Sequence, residues 1–287
     1  MTVIAPPAPN RSVPPKKLGR GRPARKGSLT GASGLGLGVS LTWFSLLVLI
    51  PLSAVVATST ENGWSAFWAV IGNDQTWAAL KLTVTGAFIV TGINVFMGTV
   101  IAWVLVRDRF WGKSVLNVVI DLPFALPTIV AGLVLLSLYG PQSPLGVNVA
   151  NTKTAVYLAL AFVTLPFVVR TVQPVLEELD ADVEEAAASL GASKFTTFRR
   201  VILPSLVPAI SAGAALSFAR AISEYGSLVL LSGSLPFETQ VASVRILGYL
   251  EGGNPAAAAT VATILLVVAL TVIVLLDVIQ RRVSRRG

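Results

Sequence analysis

Six stretches of this chain are apolar over enough length to cross a bilayer, and no other feature restricts the fold so tightly. A hydrocarbon core about 30 Å thick needs about 20 consecutive apolar residues in a helix. Inside that core every backbone N–H and C=O must find its partner within the segment, which leaves helices or a closed barrel. Runs of about twenty apolar residues without period-two alternation select helices. The spans predicted are residues 35–56, 80–106, 115–138, 154–172, 206–231 and 256–279. Composition agrees, with 54% hydrophobic and 13% charged residues. The expected fold class is an all-α integral membrane protein with six transmembrane helices.

Charge gives the orientation. The formal net charge of +8 is gathered beside the spans rather than spread as a nucleic-acid footprint. Arg11, Lys16, Lys17, Arg20, Arg22, Arg25 and Lys26 precede the first span; Arg107, Arg109 and Lys113 follow the second. Arg170 ends the fourth span, Lys194, Arg199 and Arg200 lie between the fourth and fifth, and Arg281, Arg282, Arg285 and Arg286 follow the sixth. Lys153 and Arg245 are nearly all that remains for the other side. Cations collect on the cytoplasmic side, so both termini are expected there. Residues 1–33 are rich in Pro, Gly and basic side chains and read as a disordered tail, serving as a topology signal or touching anionic lipid heads. A cleaved signal peptide is the alternative for the first span, but a run of about 22 residues exceeds a signal core.

Two outer segments read as short helices. Trp64, Phe67, Trp68 and Trp77 suit a helix lying in the interface, and residues 239–250 are amphipathic. Lys81 can snorkel outward at the start of the second span, and Gly86, Gly92 and Gly98 favour close helix packing within it.

The chemistry available is narrow. The chain has no cysteine and no histidine, which removes disulfides, the usual thiolate and imidazole metal ligands and any His-based triad. No G-x-x-x-x-G-K-[ST] loop is present to cradle nucleotide phosphates. An ion-coupled secondary anion transporter would ordinarily carry several intramembrane acids. Here Glu224 lies deep, with Asp121 a second candidate.

The polar connection 175–205 is the one long loop on the cationic side. Leu176, Leu179, Val183, Ala186, Ala187 and Leu190 share a face at helical spacing, which predicts one amphipathic helix from Leu176 to Leu190. Gly191 can end it in the left-handed conformation, and Ser193 can cap a second short helix that Pro204 would stop. The product is a helix-turn-helix elbow with an alanine-lined face that another protein can approach closely.

Two further places break the helical pattern. Pro123 and Pro127, within Asp121-Leu-Pro-Phe-Ala-Leu-Pro-Thr128, interrupt the third span; broken helices in membranes line cavities or pack inside protein. Arg220 and Glu224 sit four apart in the middle of the fifth span. They form either a local ion pair or, with Arg220 turned to a pore, a point that meets an anion or braces a gate.

These motifs carry a resemblance. Glu185, Ala186, Ala187, Gly191, Val201, Leu203 and Pro204 fill the pattern Glu-Ala-Ala, three residues, Gly, nine residues, hydrophobic-x-Leu-Pro, which resembles the cytoplasmic coupling loop of ABC-importer permeases. The run Ser217-Phe-Ala-Arg-Ala-Ile-Ser-Glu-Tyr-Gly-Ser227 is similar to the fifth-span motif of oxyanion permeases, as is Asp121 to Thr128 followed by Ala131-Gly132-Leu133. The Glu224-Tyr225-Gly226-Ser227 form, together with Tyr139-Gly140 and Pro144-Leu145-Gly146, is most similar to the T-type subunits of sulfate/thiosulfate importers. The similarity covers residues 41–282; the basic tail and Gly248-Tyr-Leu-Glu-Gly-Gly-Asn254 depart from it. It implies a type I ABC importer permease fold in a bacterial cytoplasmic membrane, with a coupling loop that docks a separate ATPase. The implied partners are a second permease chain of the W type, two ATPase subunits that bind ATP and Mg, and an extracytoplasmic sulfate-binding protein. The permease itself would be no enzyme and hold no cofactor or metal. Asp121, Pro123, Pro127, Thr128, Ser217, Arg220 and Glu224 become candidates for the translocation route or its gate. Molybdate or tungstate is the alternative substrate within the same family.

Overall fold

The computed structural model describes residues 31–284; the tail cations Arg11 to Lys26 and Arg285 and Arg286 lie outside them. Every regular element among the described residues is a helix, with no strand, and the chain divides into two compact units between Pro51 and Leu52.

Helix α1, Gly31–Phe44, passes through a π-helical turn at Ser45–Leu49 into α2, Ile50–Ser59, of which Ile50 and Pro51 close the first unit. The Ile50 N–H reaches back five residues to the Ser45 carbonyl. Pro51 comes next, and widening the turn before a proline eases the clash of its ring with the preceding turn's carbonyl. Leu35, Val39, Trp43 and Leu46 are all exposed, as lipid-facing side chains should be.

The second unit is built around α4, Asp74–Arg107, α7, Lys153–Glu178, and α10, Leu203–Ile222, which pack on one another. Helix α13, Pro255–Ser284, lies on α10. One core cluster joins Leu80, Val90, Leu160, Phe218, Leu228 and Val261; a second joins Leu105, Ile120, Val168, Leu176, Ile202 and Leu206. Between α4 and α7 the contact is close: a Cβ on Gly98 would fall 2.9 Å from Val168 Cβ, and one on Gly86 3.3 Å from the Tyr157 ring. Gly92 was expected to serve the same packing, but it faces open space. Asn94, buried in mid-α4, donates to Thr164 Oγ1 at 2.7 Å and to the Ala161 carbonyl at 3.2 Å, a polar clamp within the apolar bundle.

Five helical stretches among the described residues are long and apolar enough to cross a membrane: Ser33–Ser59, Asp74–Arg107, Lys153–Glu178, Lys194–Ile222 and Pro255–Arg282. The predicted third span is instead two helices, α5, Lys113–Ala125, and α6, Thr128–Tyr139, separated at Leu126 and Pro127, both in extended backbone. The predicted fifth span is also broken. Helix α10 stops at Ile222, and α11, Gly226–Leu231, begins after three residues. Of the outer helices, α3, Gly63–Ile71, exposes Trp64 and Trp68 on either side of the buried Phe67, whose ring meets both edge-on. Helix α12 covers Ala242–Glu251, starting three residues later than its predicted start.

Candidate functional site

The elbow differs in two respects from the sequence expectation. Helix α7 runs on to Glu178, and after extended Leu179 and Asp180 a separate helix α8, Ala181–Ser189, begins. One helix from Leu176 to Leu190 therefore does not form. The Asp180 side chain accepts from the Asp182 N–H at 3.1 Å, and that cap, followed by Asp182 and Glu184 in the first turn, fixes a new N-terminus. Pro204 likewise does not end the second helix. Helix α9, Lys194–Thr197, continues through a π-helical turn at Phe198–Ile202 directly into α10. The Leu203 N–H bonds to the Phe198 carbonyl, so the ladder is already widened where Pro204 enters, as it is before Pro51.

The turn between α8 and α9 follows the sequence reading. Gly191 has φ +83°; its N–H bonds to the Ala188 carbonyl at 2.9 Å, and Ala192 N–H to the Ala187 carbonyl at 3.0 Å. Those two bonds form a Schellman motif, which takes up carbonyls the helix end would leave unpaired. Ser193 Oγ then accepts from the Thr196 N–H at 3.2 Å. Glu185 and Ala186 are exposed, Ala187 is half-buried, and Leu190 and Phe195 are 89% and 70% exposed. Val201 and Leu203 are half-buried and Pro204 is exposed at the start of α10. The elbow thus offers small and apolar side chains outward, uncovered by any other of the described residues.

Its inner side is tied down by residues that sequence reading left unconnected. Arg107, the last residue of α4, forms an ion pair with Glu184, and its guanidinium lies over the Trp103 ring at 5.4 Å. Trp103 meets Phe198 edge-on with ring centroids 5.6 Å apart.

A second polar centre joins α5 to α7. Arg170 Nε donates to Asp121 Oδ1 and Nη2 to Asp121 Oδ2, both at 2.7 Å, a bidentate pair. The same guanidinium donates to Gln173 Oε1 at 2.7 Å and to the Asn117 carbonyl at 2.9 Å. Asp121 therefore neutralises Arg170 rather than standing alone beside Pro123, which lies inside α5.

The broken ends of the third and fifth spans meet. A Cβ on Gly132 would lie 2.9 Å from the Ser227 Cα and carbonyl oxygen, and one on Gly226 would clash with Thr128 Oγ1. Helices α6 and α11 consequently cross backbone to backbone, which only glycines permit. Glu224 sits at this break, 2% exposed. Its Oε1 accepts from the Ser227 N–H at 2.9 Å and Oγ at 2.8 Å, so it caps α11. Its Oε2 lies 2.6 Å from Arg220 Nη2. The local pair thus forms, and Glu224 has a second duty that its spacing from Arg220 does not reveal. Ser217, fully buried one turn before Arg220, has a hydroxyl without a partner among the described residues.

Solved structures share this architecture. The chain superimposes with a TM-score of 0.70 at 17% identity on a chain of a bacterial alginate ABC transporter in complex with its pentasaccharide-bound periplasmic protein, covering 88% of this chain and 94% of that one. A chain of the MetNI methionine ABC transporter in an inward-facing conformation matches with a TM-score of 0.53 at 19% identity, covering 72% and 94%. The class is therefore a helical membrane protein with the type I ABC importer permease fold. Residues 94–286 match the model of the binding-protein-dependent transport system inner membrane component, and the chain belongs to that family. Relatives named sulfate transport system permease protein CysT are 41% identical in Salmonella typhimurium and in Escherichia coli, covering 88% of this chain and 94% of theirs. The protein of that name in Synechocystis is 40% identical, covering 85% and 87%.

Proposed function

We propose that this chain is the permease subunit of an ATP-driven sulfate importer in a bacterial inner membrane. The observation that carries the reading is the 41% identity over 88% of the chain to sulfate permeases, with the relatives matched nearly end to end. The chain is a multi-pass transport subunit rather than an enzyme. Its energy comes from a separate ATPase, which binds ATP and Mg. The outward small face of α8, bounded by Leu190 and Phe195, is the surface for that ATPase, because it exposes apolar side chains in a polar loop. Two ATPase subunits, a second permease chain of the W type and an extracytoplasmic sulfate-binding protein complete the machine in this reading. Thiosulfate is a further substrate, with molybdate or tungstate the alternative. The crossing of α6 and α11 beside Glu224 and Arg220 is the place where a route through the bundle would be gated.

Uptake of labelled sulfate into vesicles holding all subunits tests this. Sulfate should enter only with ATP and binding protein present, and unlabelled thiosulfate should compete better than molybdate or tungstate. Uptake driven by an ion gradient without ATP would instead point to the secondary-transporter class, and stronger competition by molybdate to the alternative substrate.

A further inference from the structure

Helix α4 is fastened at both ends by side chains, and its two fastenings join parts of the molecule that are otherwise far apart along the chain. At the elbow end, Arg107 holds Glu184 and is braced by Trp103, which in turn meets Phe198. At the other end, the Ala242 N–H of α12 donates to Thr83 Oγ1 at 2.8 Å. Thr76 Oγ1 and Tyr249 Oη lie 2.7 Å apart, and Gln75 Nε2 donates to Gln240 Oε1 at 2.7 Å. Between them α4 is one unbroken helix of 34 residues without proline. At 1.5 Å per residue it is about 51 Å long, more than the hydrocarbon thickness of a bilayer.

Helix α8 has weak alternatives for transmitting a push. Its link to α7 is two residues of extended backbone, Leu179 and Asp180, and its link to α9 turns on left-handed Gly191. Beneath it lies a cavity of about 250 Å³ lined by Trp103, Glu184, Ala188, Lys194, Phe198 and Ile202, so α8 is not packed solidly on its neighbours. Glu184, at the edge of that cavity, is held from α4 by Arg107. Both side chains are about three-quarters buried, which spares the pair much of the solvent screening that weakens surface ion pairs. The Arg107 Nε is buried without a partner of its own, so the guanidinium's firm attachments are Glu184 and the Trp103 face.

We infer that α4 is the rod that carries displacement of the ATPase-docked elbow to the α12 end of the bundle, with Arg107–Glu184 as its joint. The inference rests on the docking role proposed above for the elbow. Arg107, Glu184 and Trp103 are positioning residues: they touch neither substrate nor nucleotide. Because coupling between two sites is reciprocal in binding free energy, the same rod carries the effect of a partner seated at the α12 end back to the elbow.

The test uses the complete importer in proteoliposomes and measures sulfate imported per ATP hydrolysed. Arg107→Ala and the near-isosteric Glu184→Gln should still bind the ATPase and hydrolyse ATP, but import per ATP should fall at least about fivefold, the low end of a lost coupling contact. Exchanging the pair, Arg107→Glu with Glu184→Arg, should recover most of that loss. Normal import per ATP in Glu184→Gln overturns the joint, as does an exchange no better than the single changes. Loss of ATPase from the single variants also overturns it, since the pair would then merely shape the docking face. The docking reading is checked separately with Leu190→Asp on the exposed side: retention of the ATPase there refutes docking, whatever the joint variants do.

Discussion

Glu224 stands between two demands, and the pair it forms with Arg220 cannot be swapped as a unit. One carboxylate oxygen meets Arg220 at 2.6 Å while the other accepts the Ser227 N–H and hydroxyl. An arginine at 224 could donate but not accept, so exchange of the two residues leaves the start of α11 uncapped. Glu224→Ala should therefore destabilise the protein more than Arg220→Ala: it removes the α11 cap and strands a guanidinium, a cost of about 3 kcal/mol or more. Thermal unfolding in detergent measures the order. Transport separates the roles of Arg220. If it serves the route or its gate, Arg220→Ala stays defective for uptake when Glu224→Ala is added, and Arg220→Lys keeps only part of the rate because an ammonium lacks the planar fork. If the double variant recovers, Arg220 is a structural counter-ion. The sequence made this pair visible through its i to i+4 spacing, but not the bond to Ser227, which exists only because the chain breaks after Ile222.

At the scale of elements, the glycines divide by what their missing Cβ would touch. Gly132→Ala places a methyl 2.9 Å from Ser227 backbone atoms, which cannot rotate away, so α6 and α11 must separate. Folded, inserted protein should fall and uptake per inserted molecule with it. Gly92→Ala meets nothing within 4 Å and should be neutral or raise stability by up to about 1 kcal/mol through helix propensity. Comparing the two by thermal unfolding checks whether close approach, rather than glycine itself, is what the bundle requires. Legibility follows the same division. Caps are local, so Ser193 and the left-handed turn at Gly191 could be read from sequence. Gly191→Val should accordingly lower ATPase association by displacing α9, because a β-branched residue at φ +83° is strained. Breaks were harder. Pro204 carries a stop signal that the π turn at Phe198–Ile202 cancels, and Leu176–Leu190 shows one apolar stripe although Asp180 caps a new helix inside it. The Arg107–Glu184 and Arg170–Asp121 pairs join residues 77 and 49 positions apart, beyond the reach of periodicity.

For the whole molecule, the Arg107–Glu184 pair constrains the membrane crossings. It places the end of α4 and the elbow on one side of the bilayer, so the chain between them crosses an even number of times. Helix α7 is long and apolar enough to cross once. The segment formed by α5 and α6 must then cross once as well, although neither helix suffices alone: 13 and 12 residues give about 20 and 18 Å against a core of about 30 Å. Together they are long enough, and the extended residues between them are tolerable because α11 covers α6 there. Added to the five long helices, this crossing would make six, the number expected from the sequence, and predicts both ends of the chain on one side of the membrane. The cations around Arg107, Arg170, Arg199 and Arg281 would then share the cytoplasmic side, the arrangement that the positive-inside rule favours. Reporter fusions after Trp68 and after Gly287 should consequently report opposite sides of the membrane. Fusions that report the same side would mean that α5 and α6 dip in and return; α7 would then carry Glu184 to the side opposite Arg107, and the ion pair could not form in the membrane.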